Sequence, residues 1–332
     1  MTHAGETDEK KNRVYLFALA SVEGIGAVRI RRLLERFGSA ERVFDADLVE
    51  IAQLPQFNPI LASRILVVRK RFSELQQRLD ELSNQGIKVL FPDDTEYPTL
   101  LKSSQDSPMV LCKAGELSEV SEKCVAIVGS KQPSADSINV TLELSMRLVE
   151  AGWTIVSGFA VGIDTTAHYG ALGLNGTTIG VLSTDLSSIY PRENRDLALK
   201  IYKTGCLFSE HPFPTPPTPA NLVMRNRIIS GLSFATIVVE TSIEGGAMHT
   251  ARYAQLQDRP VFAGQWSATN HKSDGTRQLI RKGAIPFSPN QLSDVVEMLT
   301  DPKRIQAQNV GTSAKQMELF GHEGDKKSAN KK

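Results

Sequence analysis

The stretch Cys124–Gly158, CVAIVGSKQPSADSINVTLELSMRLVEAGWTIVSG, decides the fold. CVAIV is too short and too continuously apolar for a surface helix, and it ends at Gly129-Ser130, so it reads as a strand buried on both faces. SADSINVTLELSMRLVEAG places its apolar residues at helical spacing and stops at Gly152, and WTIVSG is a second buried strand. Strand, helix and strand in succession form a parallel crossover unit. The alternation continues through DTTAHYGALGLNG, a helix for which Asp164 is the expected N-cap, and then TTIGVLS, NRDLALKIYKTG, CLFSE, ATIVVE, GAMHTARYAQLQ and RPVFAG. The expected fold class is α/β, a Rossmann-like, mostly parallel sheet with helices on both faces, over residues 123–298.

In such a sheet ligands bind beyond the carboxyl ends of the strands. The residues there are Gly129-Ser130-Lys131, Ser157 to Asp164, Ser183-Thr184-Asp185, Ser209-Glu210, Glu240-Thr241 and Ala263-Gly264. Glycines at strand ends let backbone N–H groups approach phosphate oxygens. There is no GxxxxGK[ST] and no GxGxxG after a strand, so P-loop hydrolysis and ordinary dinucleotide binding lose their support. A nucleotide-binding or hydrolysing enzyme remains the alternative reading, because glycine loops also serve small phosphates.

Upstream, residues 13–84 read as a small helical domain of helix-hairpin-helix, SAM-like type. Gly24 and Gly26 make a tight turn, Ile30, Leu33, Leu34 and Phe37 form the apolar face of the next helix, and Gly38 ends it in left-handed conformation. Such a turn presents backbone N–H groups to a nucleic-acid phosphate. With Arg29 and Arg32 beside it, Gly24 and Gly26 form a candidate secondary DNA contact. The alternative is that the glycines simply let two helices approach closely. AQLPQFNPILASRIL reads as a degenerate second hairpin without glycines. Residues 85–122, with two short strands, read as a connector on the larger domain. Residues 1–12 and 299–332 read as disordered tails.

The balance of 38 basic and 37 acidic residues selects no partner, so the distribution of charge has to. Arg29, Arg31, Arg32 and Arg36 fall within one short segment, a local anion-facing density. Three widely spaced cysteines support neither a disulfide framework nor a zinc site. No apolar run is long enough to span a bilayer and no signal segment is present, so the expected location is the cytoplasm, with no membrane partner.

The ordered blocks VAIVGSKQPS, GWTIVSGFAVGIDTTAH, GTTIGVLSTDLSSIYPRENRDL, LFSEHPF, LVMRNRIISGLS and VVETSIEGGAMHTARYA resemble the DNA-processing protein A family, also called DprA or Smf. The resemblance extends from about Val14 to Phe287. It implies a non-catalytic protein that binds single-stranded DNA through a basic pocket, forms a homodimer and helps load a RecA-type recombinase during DNA uptake or recombination, with no cofactor. Carried over by position, Lys131 stands where the family has Arg in its G-S-R block, and Arg225, Asn226 and Arg227 form its R-N-R block. Gly129, Ser130, Ser134, Gly158 and Gly162 complete the candidate DNA site.

The chain departs from the family pattern at several places. Leu222-Val223 replaces Phe-Pro before the R-N-R block, which removes a base-stacking platform. Phe159 and Val161 replace small or basic residues after the second strand, STDLSSIYP lacks the usual glycine turn, and FAGQWSATNHKSDG replaces Pro-Gly. In the tail, QMELF resembles a sliding-clamp docking peptide, making Gln316, Met317, Leu319 and Phe320 candidate clamp contacts.

Each candidate has a structural alternative. Arg225 and Arg227 can pair with Glu210 or Glu240 and staple strand ends. His168 is more simply a packing histidine than a base. Glu210, Glu240 and Glu244 are carboxylates of the type that hold divalent metals, but their spacing does not demand one.

Overall fold

The structure, a computed structural model, describes residues 3–117, 119–301, 303 and 304. Among the described residues nine strands are formed: β1 (Lys88–Leu90), β2 (Leu111–Ala114), β3 (Cys124–Val128), β4 (Thr154–Ser157), β5 (Thr178–Val181), β6 (Cys206–Ser209), β7 (Ala235–Val238), β8 (Val261–Gly264) and β9 (Ile285–Phe287). They make one sheet in the order β1-β2-β6-β5-β4-β3-β7-β8-β9. The β3–β4, β3–β7, β5–β6, β7–β8 and β8–β9 pairs are parallel, and the mostly parallel α/β architecture is as expected. The described chain divides into two compact units, residues 1–122 with 179–232 and residues 123–178 with 233–332. One border falls between residues 122 and 123, and residues 179–232 are grouped with the first unit.

In the first unit, the helical part begins with a helix at His3–Ser21, so helix extends into the segment expected to be a disordered tail up to Asn12. That segment is rich in Glu and Lys, which favour helix without contributing the apolar periodicity from which helices are read. Gly24 and Gly26, either side of the buried Ile25, turn the chain into the helix Ala27–Phe37, with Gly24 at φ +85°. Gly38, at φ +83°, ends that helix by donating its N–H to Leu34 O. The second hairpin is formed by the helices Leu48–Ala52 and Pro59–Val68. There Gln56 takes φ +70°, the conformation a glycine holds in the first hairpin, and Asn58 caps the second helix by accepting from Leu61 N–H. Phe17, Ile30, Leu33, Ile51, Ile65 and Leu75 make the buried center of this helical layer.

The segment expected to be a connector instead extends the sheet. β2 pairs antiparallel with β6 in register Cys112↔Ser209, and β1 pairs antiparallel with β2. All four residues of β2 are buried, including Lys113, which explains why they join a sheet rather than lie on one.

The second unit carries the Rossmann-like core. Val125, Ile127, Ile155, Ile237 and Phe262 from four strands pack with Leu144 and Leu148 of the helix Ala135–Glu150 and Ala167 and Ala171 of the helix Ile163–Gly173. The N-cap of the latter helix is Gly162, at φ +86° and ψ −129°, and not Asp164, which lies in its first turn. The reason is steric: this backbone conformation belongs almost exclusively to glycine, so the cap position is set by the loop's path and the carboxylate falls inside the positive end of the helix dipole.

Cys112, Cys124 and Cys206 are all buried and unbridged. Burial pushes the thiols of Cys112 and Cys206 up to about 12. A thiol reagent at mildly alkaline pH is therefore expected to label none of the three in the native protein and all three in denaturant, because the thiolate is the reactive form. Rapid native labelling would show that the sheet opens around them.

Candidate nucleic-acid interface

The sheet order reverses between β3 and β7, both in the second unit, and the crevice beyond their carboxyl ends is the topological switch point where ligands bind in open α/β sheets. The loop after β3 is fixed there from two sides. Ser130 N–H donates to Glu240 O at 2.7 Å, and Ile163 N–H donates to Ser130 O at 3.1 Å. The second bond requires Gly162, since a Cβ there would run into Ser130 O and stand 2.9 Å from Lys131 Cα. Gly129 is equally confined, for its Cβ would lie 2.6 Å from Ile163 Cγ1 and 2.9 Å from Glu240 O. The glycines thus let two strand-end loops lie against each other.

Glu240 is fully buried, and its carboxylate accepts from Ser134 N–H at 2.8 Å, Ser134 Oγ at 2.9 Å and Asn270 Nδ2 at 2.8 Å. A buried charge needs this degree of hydrogen bonding, and three donors supply it. Ser134 also N-caps the helix Ala135–Glu150 by accepting from Ser137 N–H at 3.2 Å. The result is a fixed loop from Gly129 to Ser134 on which Lys131 is exposed. Gly158 is buried, and its carbonyl accepts the Nε2–H of the buried His168 at 2.8 Å, while Nδ1 meets Thr178 Oγ1 at 2.7 Å. His168 is the packing histidine of the structural alternative. Among the described residues no cluster of His, Cys, Asp and Glu is gathered as a metal site.

In the first unit, Arg225, Asn226 and Arg227 sit on the helix Pro219–Gly231, whose start Thr218 caps, and all three are buried. Arg225 Nη1 donates to Val181 O at 2.5 Å, and Arg227 Nη2 forms an ion pair with Glu210. For Arg227 the pairing with a strand-end glutamate weighed above is what the structure has. Arg31 lies in the same electrostatic neighborhood. Burial lowers its pKa first, and the charge of Arg227 lowers it further, against the opposing charge of Asp106. Burial also lowers His211, with Glu210 acting against it. The Arg225 and Arg227 guanidinium groups are thus both engaged inside the fold and are not surface forks.

The hairpin arginines are likewise engaged with backbone. Arg29 Nη1 donates to Gly24 O at 2.5 Å and its Nε to Gln56 O at 3.1 Å. Arg32 Nη1 donates to Pro55 O at 2.7 Å. Arg31 reaches Gln105 O and Ser107. Much of the arginine density that reads as an anion surface therefore ties the two hairpin turns and the following loop together, and Gly24 and Gly26 stay exposed at the turn. Gln316, Met317, Leu319 and Phe320 lie outside the described residues.

The family model for DNA recombination-mediator protein A matches residues 88–300, spanning both strand-end loops and the R-N-R helix. The chain belongs to the DNA recombination-mediator protein A family. A second family model, the SAM-like helix-hairpin-helix tandem, matches residues 17–71 and agrees with the two hairpins. Protein Smf of Synechocystis sp. is 36% identical over 285 residues, covering 84% of this chain and 71% of its own. DNA processing protein DprA of Bacillus subtilis is 38% identical over 218 residues, covering 65% of this chain and 73% of its own. The crystal structure of DNA processing protein A from Streptococcus pneumoniae superposes with a TM-score of 0.72 at 28% identity, over 87% of this chain and 97% of that one. A structure describing the single-stranded DNA binding mode of the Helicobacter pylori protein superposes with a TM-score of 0.59 at 28% identity, over 65% of this chain and 96% of that one. In this family member the loop Gln265–Ser273 adds contacts to the site, through Asn270, that residue-by-residue reading missed. The only signal was that FAGQWSATNHKSDG departs from the pattern.

Proposed function

We propose that this protein is a non-catalytic recombination mediator that binds single-stranded DNA and delivers it to a RecA-type recombinase, as a homodimer, in the cytoplasm. The observation that carries the proposal is the loop Gly129–Ser134, held at the switch point by Glu240 and Gly162 with Lys131 exposed on it. Its geometry offers the Lys131 ammonium to a phosphodiester, a contact that carries no base information, while the N–H groups of Ser130, Gln132 and Ser134 are spent on holding the loop. The H. pylori relative, whose structure was solved for its single-stranded DNA binding mode, supports polymer over mononucleotide as the ligand. No helix among the described residues is long and apolar enough to cross a membrane. In this reading Gly158 shapes the loop pair of the second unit, and the first unit contributes on its own through Arg225, Asn226 and Arg227 and, more weakly, through the exposed hairpin turn at Gly24 and Gly26. The Gln316–Phe320 peptide would tether the mediator to a sliding clamp.

Because Arg225 and Arg227 are buried, reversing their charge would test folding before it tested binding. Lys131 is the discriminating residue. Lys131→Ala is expected to lower the slope of log affinity against log salt by about 0.7 for a labelled single-stranded oligonucleotide, with unchanged melting. Tight, salt-steep binding by the native protein with no change in Lys131→Ala would remove this loop from the interface. Native protein that binds a nucleoside triphosphate in preference to the oligonucleotide would favor the nucleotide enzyme instead.

A further inference from the structure

The loop Gln265–Ser273 is held more firmly than a surface loop of its length requires. Trp266 Nε1 donates to Val239 O at 2.7 Å, and Arg277 donates to Ser267 O at 3.2 Å, Ser273 Oγ at 2.8 Å and Asn270 O at 3.1 Å. Asn270 spends its Nδ2 on Glu240 and its Oδ1 on Lys272 N–H at 3.0 Å. Ser267 and Thr269 close a side-chain turn at 3.0 Å. The fixed loop directs Lys272 across to the β3 loop, where its Nζ donates to Gln132 O at 3.1 Å. Gln132 is the residue after Lys131, and both lysines are exposed.

We infer that Lys272 is a second phosphate-binding cation of the switch-point site, so that single-stranded DNA is gripped by a pair of ammonium groups carried on the β3 and β8 loops. One of the three N–H donors of Lys272 is used by Gln132 O, which leaves two for a phosphate oxygen. The carboxylates beside the pair are already committed: Glu240 is buried under three donors, and Asp274 is paired with Arg277. The bond to Gln132 holds the long side chain in place before any ligand arrives, which reduces the ordering cost of binding. The pair also offers a physical account of Lys131 standing where the family pattern has Arg. One bidentate fork is replaced by two point charges.

This inference rests on the single-strand reading, and one experiment separates the two. Binding of a labelled oligothymidine is titrated against salt for the full chain and for Lys131→Ala, Lys272→Ala and Lys272→Arg, with melting temperature as the folding control. The expected result is a slope about 0.7 lower in each alanine variant, recovery in Lys272→Arg, and melting unchanged throughout. If Lys272→Ala leaves slope and affinity as in the native protein while Lys131→Ala lowers them, Lys272 only staples the loop and the inference is overturned with the single-strand reading intact. If the native protein shows no salt-steep binding, the single-strand reading itself fails.

Discussion

Glu210→Ala is expected to lower stability by about 3 kcal/mol, because it strands the Arg227 guanidinium in a buried site. The Arg227 side chain is 6% exposed and that of Glu210 is 20% exposed, so the pair is mostly out of water and only weakly screened. The charge of Arg227 also acts on Arg31, against the charge of Asp106, and removing the glutamate takes away the anion paired with Arg227. A melting temperature lower by roughly 2–4 °C per kcal/mol should follow. Removing both charges, as in Glu210→Leu with Arg227→Met, is expected to bring stability back to near the native value, since an apolar pair of similar volume needs no desolvation. His211 supplies a pH test. Its folded pKa lies below its unfolded value of about 6.5, so it contributes stability above that value and loses it as pH falls through it. Glu210 opposes the lowering, and its removal should steepen the loss of stability on acidification. Equal stability in native and Glu210→Ala proteins would show that the pair holds nothing together.

Gly162→Ala is the second large effect. The residue pays twice for a side chain, once in a backbone region that costs about 1–3 kcal/mol for other residues, and again in the collision with Ser130 O. That oxygen accepts Ile163 N–H, the bond that holds the β3 and β4 loops together, so relief of the collision must move the Lys131 loop. Oligonucleotide affinity is expected to fall ten-fold or more, about 1.4 kcal/mol, alongside a lower melting temperature. Gly173→Ala is the control. It ends the same helix, has open space around its Cβ position, and should be neutral or slightly stabilising. Native-like binding in Gly162→Ala would mean that the loop contact does not shape the site.

Strand and helix identity was legible wherever apolar runs and periodicity were strong, as in CVAIV, TIVS and the helix Ala135–Glu150. The hairpin turns were legible through Gly24 and Gly38, and the second one survived the loss of its glycine because Gln56 adopts the left-handed conformation. Polar helix was not legible from His3 onward, since Glu and Lys carry propensity but no periodicity. Asp164 was misplaced by two residues because capping was read from side-chain chemistry while the loop's geometry set it. The arginines show the larger limit. Sequence gives their charge but not their exposure, and it cannot distinguish Arg227 facing Glu210 from Arg227 facing a phosphate. Lys272 was hidden for the converse reason: a lone lysine in a loop becomes informative only once Asn270 and Gln132 fix where it points.

The alternation of units along the chain has a consequence for biogenesis. Residues 1–122 and 179–232 make one unit, and residues 123–178 lie between them in sequence. β2 emerges from the ribosome well before its antiparallel partner β6, so it must wait through synthesis of the intervening unit's first strands with one edge unsatisfied. No single stop codon can yield either unit whole while omitting the other, and a nick between Thr178 and Ile179 would fall inside β5. Fragments cut at these borders should be recovered as aggregates, because each leaves a part of the first unit without the segment it packs against.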